Sequence, residues 1–174
     1  MSKKFLIIFL SFFLNFSSAI SIELKIVYVD LEKIINQSEA GKKISKQLEN
    51  LNNDNIKKFT KKEKEIADEE KNIVKQKNIL SKEEFEKKVT LLQKNIANFK
   101  KDINTSRKDL EKKRVGATNK ILNVINPILS EYSTKNSISL IIQKKNIVIG
   151  KSELDITSKI LKIVNTKIKS VKLN

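Results

Sequence analysis

Along the middle of the chain one apolar residue recurs every seven positions: Phe59, Ile66, Ile73 and Leu80. The companion seam positions at Asn55, Lys62 and Glu69 are polar, so this first stripe is thin. Closer to its start the same segment carries Ile44, Leu48 and Leu51. The next stripe is fuller. Phe85, Val89, Leu92, Ile96, Phe99 and Ile103 alternate steps of four and three, and Leu110 and Ala117 continue by sevens, the period of two helices wound against each other. Two such stripes in succession predict an antiparallel helical hairpin, with a first arm from about Ser38 to Ile79. Between them Ser81 and Glu84 have the spacing of a capping box, in which the serine hydroxyl and the glutamate carboxylate satisfy each other's backbone amides, so the chain is expected to turn there. Arms on the order of 40 residues at ~1.5 Å per residue extend ~60 Å.

The pattern changes at both ends of the hairpin. Ile26-Val27-Tyr28-Val29 is β-branched and aromatic and reads as a strand ending at Asp30. A loop or short helical turn follows from Leu31 to Gln37, and Ser38 is a plausible N-cap with Glu39 in the first turn, where the helix dipole favours negative charge. Beyond the arms, Ile121, Leu122, Val124, Ile125, Ile128 and Leu129 are too apolar for a solvated helix, and Pro127 is expected to kink or restart it. Asn136 offers a left-handed stop. Ser137–Ile142 and Asn146–Gly150 flank Gln143-Lys144-Lys145 and read as a β-hairpin. Asp155 can cap a last helix with the stripe Ile156, Ile160, Ile163, Val164 and Val171, whose other face carries five lysines and no acids between Lys159 and Lys172. Three short strands with open edges bury too little to stand alone. Oligomerisation through them is expected, with Ile26, Tyr28, Leu140, Ile141, Ile142 and Val148 as the contacts. The fold class is therefore α+β, mainly α: a long helical hairpin on a small β body completed by further copies. The body takes residues 20–37 and 120–174, and the arms take 38–119.

The first nineteen residues read as a cleaved signal peptide. Met1-Ser2-Lys3-Lys4 is basic, Phe5 to Phe16 is apolar, and Ser17-Ser18-Ala19 offers small residues for cleavage before Ile20. The apolar run of about twelve residues is interrupted by Ser11 and Asn15, whereas a spanning helix needs roughly twenty. Export is the implication.

Charge and missing residue types narrow the function. The net charge is +16; removing the two signal lysines leaves 34 basic minus 20 acidic residues, or +14. Export argues against nucleic acid as the partner of such a surface and leaves anionic lipid or acidic polypeptide. A biased genomic base composition would raise Lys, Asn and Ile together and would account for part of the excess. With no Cys and no His, there is no disulfide, no thiolate and no imidazole base or ligand. No catalytic residue, metal site or cofactor is expected, and an enzyme is not.

Taken together, Ile26-Val27-Tyr28-Val29-Asp30, Ser38-Glu39-Ala40-Gly41-Lys42 opening a charged hairpin, Asn126-Pro127-Ile128-Leu129 and Leu154-Asp155-Ile156-Thr157 resemble the OmpH/Skp family of periplasmic chaperones. The resemblance implies a homotrimer with a small β-barrel body, from which three hairpins enclose a cavity for unfolded outer-membrane proteins in the periplasm, without nucleotide. Unfolded barrel strands alternate apolar and polar residues and aggregate through their edges. Arms that carry 22 basic and 13 acidic residues between Lys42 and Arg114, net +9, suit many weak contacts with such clients, made among Phe59, Ile66, Ile73, Phe85 and Phe99. The family's association with lipopolysaccharide, or with an anionic membrane surface, has its nearest candidates in Arg107, Lys108, Lys112, Lys113 and Arg114, although a solvated helix face explains them more simply. The competing functional reading is a structural coiled-coil spacer or adaptor in the cell envelope, which would want continuous apolar seams and a docking surface at the tip.

Overall fold

The computed structural model describes residues 24–173, so the expected signal peptide lies outside the described residues. Strand β1 (Ile26–Val29) leads directly into helix α1 (Leu31–Gln37). Asp30 starts that helix by accepting from the Lys33 amide at 2.8 Å. Seven residues are too few to hold a helix by themselves, and α1 is held by Ile34, which is fully buried. Ser38 closes one helix and opens the next: its amide donates to the Ile34 carbonyl at 3.0 Å, and its hydroxyl accepts from the Gly41 amide at 3.1 Å.

Helix α2 (Glu39–Lys75) and helix α3 (Lys82–Lys135) form the antiparallel hairpin. The turn between them is set by the capping box. Glu84 donates its amide to the Ser81 hydroxyl at 3.3 Å, and its carboxylate accepts from the Ser81 amide at 3.1 Å and hydroxyl at 2.7 Å. Those bonds hold the Glu84 carboxyl below its ordinary pKa.

Pro127 does not restart the helix as expected: α3 runs through it to Lys135. Proline inside a helix costs about 3 kcal/mol or more, but Ile121, Ile125 and Ile128 on either side are buried in the core and pin the backbone there. The stop is also placed differently. Asn136 has φ −109°, and the left-handed residue is Ser137 at φ 51°. The Ile138 amide reaches the Ser133 carbonyl at 2.9 Å and the Ser137 amide the Thr134 carbonyl at 3.4 Å, the pairing of a Schellman turn. Asn136 instead bonds Tyr132 O through its side-chain amide at 2.8 Å.

The expected β-hairpin near the C-terminus is absent. Strand β2 (Leu140–Gln143) pairs in parallel with β1, in the register Ile26 with Leu140 through Val29 with Gln143. A two-residue hairpin turn wants Gly or Asn at positive φ, which Gln143-Lys144-Lys145 does not supply. Lys144–Asn146 form a 3₁₀ turn, and the residues that follow are not a strand. The far edge of β1 is taken by a later segment, with the Ile156 amide on the Tyr28 carbonyl at 3.0 Å and a parallel bridge between Tyr28 and Asp155. Parallel strands need a long crossover, and here the whole helical hairpin provides it.

Helix α4 (Thr157–Lys167) begins where Asp155 accepts from the Thr157 amide at 2.9 Å. Its buried residues are Thr157, Ile160 and Val164. Val171, read as part of this stripe, is buried but lies beyond the helix end. The body core joins both ends of the chain: Val27, Val29, Ile34, Ala40, Ile44 and Leu48 meet Ala117, Ile121, Ile125, Ile128, Ile156, Ile160 and Val164. Two polar ties fix the starts of α1 and α2 to α4. The Asp30 amide donates to the Thr157 hydroxyl and the Glu39 amide to Asn165 Oδ1, both at 2.9 Å.

Candidate functional site

The hairpin is the functional candidate because it leaves the body core behind and carries a second, separate one. Ile66, Ile73 and Leu92 are buried between the arms, with Phe85, Val89, Ile96 and Phe99 packed around them. Phe59 meets Phe99 edge to face, with ring centroids 6.0 Å apart, a preferred aromatic arrangement. The polar seam positions also have uses. Asn95 donates to Glu69 at 3.4 Å and Lys88 to Gln76 at 2.7 Å, each bond crossing from one arm to the other. The ion pairs Lys46–Glu49, Lys62–Glu65 and Lys87–Glu83 each lie within a single helix. Such exposed pairs contribute about 0.3–0.5 kcal/mol each, so they keep the arms soluble more than they hold them together.

The structure brings Phe59, Ile66, Ile73, Phe85 and Phe99 together on the inner face of one hairpin. Ile66 and Ile73 are buried there, while the three phenylalanines keep partly exposed edges. The large apolar side chains open to solvent on the arms are different ones: Leu51, Ile56, Val74, Ile79, Leu91 and Val115. Leu51 belongs to the first stripe as read from the sequence and is nonetheless exposed; reading for a seam passes over the other five because they fall off the heptad stripe. The available signal was an apolar residue at an off-seam position in a lysine-rich helix. They are spread along both helices and are not gathered into one patch.

The basic residues do not form one patch. Arg107 and Arg114 line a cleft of about 440 Å³ between the roots of the arms, shared with Glu49, Glu111, Ser45 and Asn52. Lys112 and Lys113 border a different depression with Asp109 and Lys120, and Lys108 is simply exposed. Carboxylates intermix with the cations in both places.

On the body, the six strand residues divide. Tyr28 is buried, with Gly150 against one side of its ring and the Lys144 ammonium 5.9 Å from its centroid. Ile141 and Ile142 are half-buried. Ile26 and Leu140, paired across the two strands, are open to solvent, and Val148 is 98% exposed with its neighbour Ile149 at 92%. Asp155 sits beside this group. Burial alone would raise its pKa, but hydrogen bonds from Thr157 and the Lys144 ammonium at 3.3 Å outweigh that and hold its carboxyl below the ordinary range.

Among the described residues no helix is long and apolar enough to cross a membrane. No curated protein matches the chain. The fold matches that of a Caulobacter crescentus CB15 protein proposed to be an OmpH-like outer membrane chaperone, with a TM-score of 0.80 and 14% identity over 87% of this chain and 89% of that one. The family model for outer membrane protein (OmpH-like) matches residues 25–164, from the first strand to the last helix and across the whole hairpin. With its β body, its helical arm and a match over about four fifths of its length, the chain belongs to the OmpH-like family.

Proposed function

We propose that this chain is an ATP-independent holdase of the periplasm that binds unfolded outer-membrane β-barrel proteins between helical arms and keeps them from aggregating. The observation that carries this reading is the arm itself. It bears isolated exposed apolar residues, Leu51, Ile56, Val74, Ile79, Leu91 and Val115, spread over two helices of 37 and 54 residues among dispersed charges. An unfolded barrel chain offers alternating apolar side chains with no fixed order. Many weak contacts of this kind hold such a client without selecting one sequence, and the open edges of Phe59, Phe85 and Phe99 add to them. A spacer would be better served by a continuous seam. Here ten consecutive residues of α2, 49–58, contain none that is buried.

The body supports assembly. Ile26, Leu140, Val148 and Ile149 expose apolar surface next to a two-stranded sheet, and large apolar side chains left open together favour burial against another copy. A homotrimer closed through these residues would cover them and would point three arms around one cavity. The clefts beside Arg107 and Arg114 leave an anionic lipid, lipopolysaccharide included, as a secondary ligand. The test is light scattering after dilution of a urea-unfolded outer-membrane β-barrel protein into buffer. A roughly equimolar amount of assembled chain should suppress scattering without nucleotide. Unchanged aggregation at several-fold excess overturns the proposal.

A further inference from the structure

The family match stops at Val164, and the chain beyond it makes contacts of its own. At Ile168 the backbone leaves α4 extended, with φ −140° and ψ 122°. From there to residue 173 no helix or strand forms, yet the segment is seated on the body. Val171 is 7% exposed and belongs to the body core, and Ile168 and Leu173 pack against that core half-buried. Lys172, between Val171 and Leu173, is exposed. Burial that alternates in this way is that of an extended chain lying on a surface.

Two polar holds on the segment come from opposite arms. Gln47 of α2 donates to the Val171 carbonyl at 3.5 Å, and the Lys120 ammonium of α3 donates to the Lys172 carbonyl at 3.1 Å. The segment therefore crosses between the roots of the two helices, and Lys169 pairs with Glu39 at 2.9 Å on the way. Both holds reach main-chain carbonyls, which every peptide unit carries, so they read no side chain. The seat asks of its occupant only an extended backbone, an apolar residue where Val171 lies and another two residues on. Its grip is light. Ordering residues 168–173 costs backbone freedom at each one, while a single buried valine and two half-buried aliphatic side chains return little beyond that. The exposed Lys169–Glu39 pair adds little more.

We propose that residues 168–173 are the resident, displaceable occupant of a strand-binding groove between the arm roots, and that an extended client segment, apolar at every second residue, takes the same seat when the tail leaves it. The inference rests on the reading of the chain as a holdase and gives that activity a site outside the arms. Unfolded barrel strands have the alternation that the seat accepts. The tail, tethered beside the groove, competes at high effective concentration and so covers the apolar seat until a client is present.

Peptide binding to the full chain tests it. A fluorescein-labelled peptide of residues 167–173 is titrated with the parent and with Val171→Asp, which puts a charge in the seat and so releases the tail. The arms are the same in both proteins, so a difference in anisotropy belongs to the groove. The variant should bind the peptide about tenfold more tightly than the parent, the advantage of the tethered competitor being removed. An unlabelled peptide from an outer-membrane barrel strand should displace it. A second readout keeps the native tail and does not depend on the variant's folding. The chain has no cysteine, and a nitroxide on Ser170→Cys, at an exposed position, should become mobile when the barrel-strand peptide is added in excess. Equal affinity of the parent and the folded variant, or a nitroxide spectrum that the peptide leaves unchanged, overturns the groove and leaves holding by the arms, read by light scattering, intact. Displacement without any suppression of scattering would overturn the holdase reading and leave the groove.

Discussion

A Cβ on Gly41 would lie 1.7 Å from the carbonyl oxygen of Ile35. The junction of α1 and α2 is folded so tightly around Ser38 that only a hydrogen fits there. Gly41→Ala should therefore destabilise the body by about 2–3 kcal/mol, as overpacking against backbone does, despite the gain in helix propensity. Gly116 is the control, since nothing lies within 4 Å of its would-be Cβ in the interior of α3. Gly116→Ala should stabilise by about 0.5–1 kcal/mol. Urea unfolding of both variants checks the pair, and equal signs would contradict the described junction.

Asp155 makes stability depend on acid. Its folded pKa is depressed, so its contribution is full above the unfolded value of about 3.9 and is lost as pH falls through the lower folded value. Asp155→Asn keeps an oxygen for the Thr157 amide but loses the attraction to Lys144. At pH 7 it should cost about 1 kcal/mol, and the difference from the parent should shrink as pH falls below 4. A constant difference from pH 7 to pH 2.5 would show that the charge is immaterial.

Val148→Asp separates assembly from folding. A side chain 98% exposed in the single chain is replaced within about 0.5 kcal/mol when nothing covers it. If the proposed trimer buries it, the variant should sediment as a smaller species at micromolar concentration with its helix content intact. Ile141→Asp, at a half-buried position of β2, should instead unfold or dissociate the body. Unaltered sedimentation of Val148→Asp would remove that residue from the interface.

Client capture should divide into a salt-sensitive and a salt-insensitive part. With +9 between Lys42 and Arg114, association with an acidic unfolded barrel should slow as salt rises, since screening at ~0.15 M leaves a reach of only about 8 Å. Dissociation should change little, because apolar contacts are not screened. Neutralising Lys112, Lys113 and Arg114 together should lower the association rate modestly in stopped-flow fluorescence. Loss of equilibrium holding would instead identify a specific anionic site there.

What the sequence determined by itself was local. Ser38 and Ser81 cap the helices they precede because an N-cap needs only a hydroxyl and an amide three residues on. The heptad stripes place Ile66, Ile73 and Leu92 inside the hairpin because two antiparallel helices joined by a short turn can bury only the faces they turn to each other. Ile26–Val29 is a strand on composition alone. Tertiary structure decided the rest. Leu140–Gln143 chose β1, more than a hundred residues away, because Val27, Val29 and the helix roots needed a cover, and no turn chemistry offered Ile147–Ile149 a local partner. Pro127 stays helical because its neighbours are anchored in the core. Between the body cluster and the arm cluster none of residues 49–58 of α2 is buried, a gap that the seven-residue period does not announce. A period in a sequence says which face of a helix is apolar. Which apolar faces meet, and where contact lapses, is a property of the whole chain's packing.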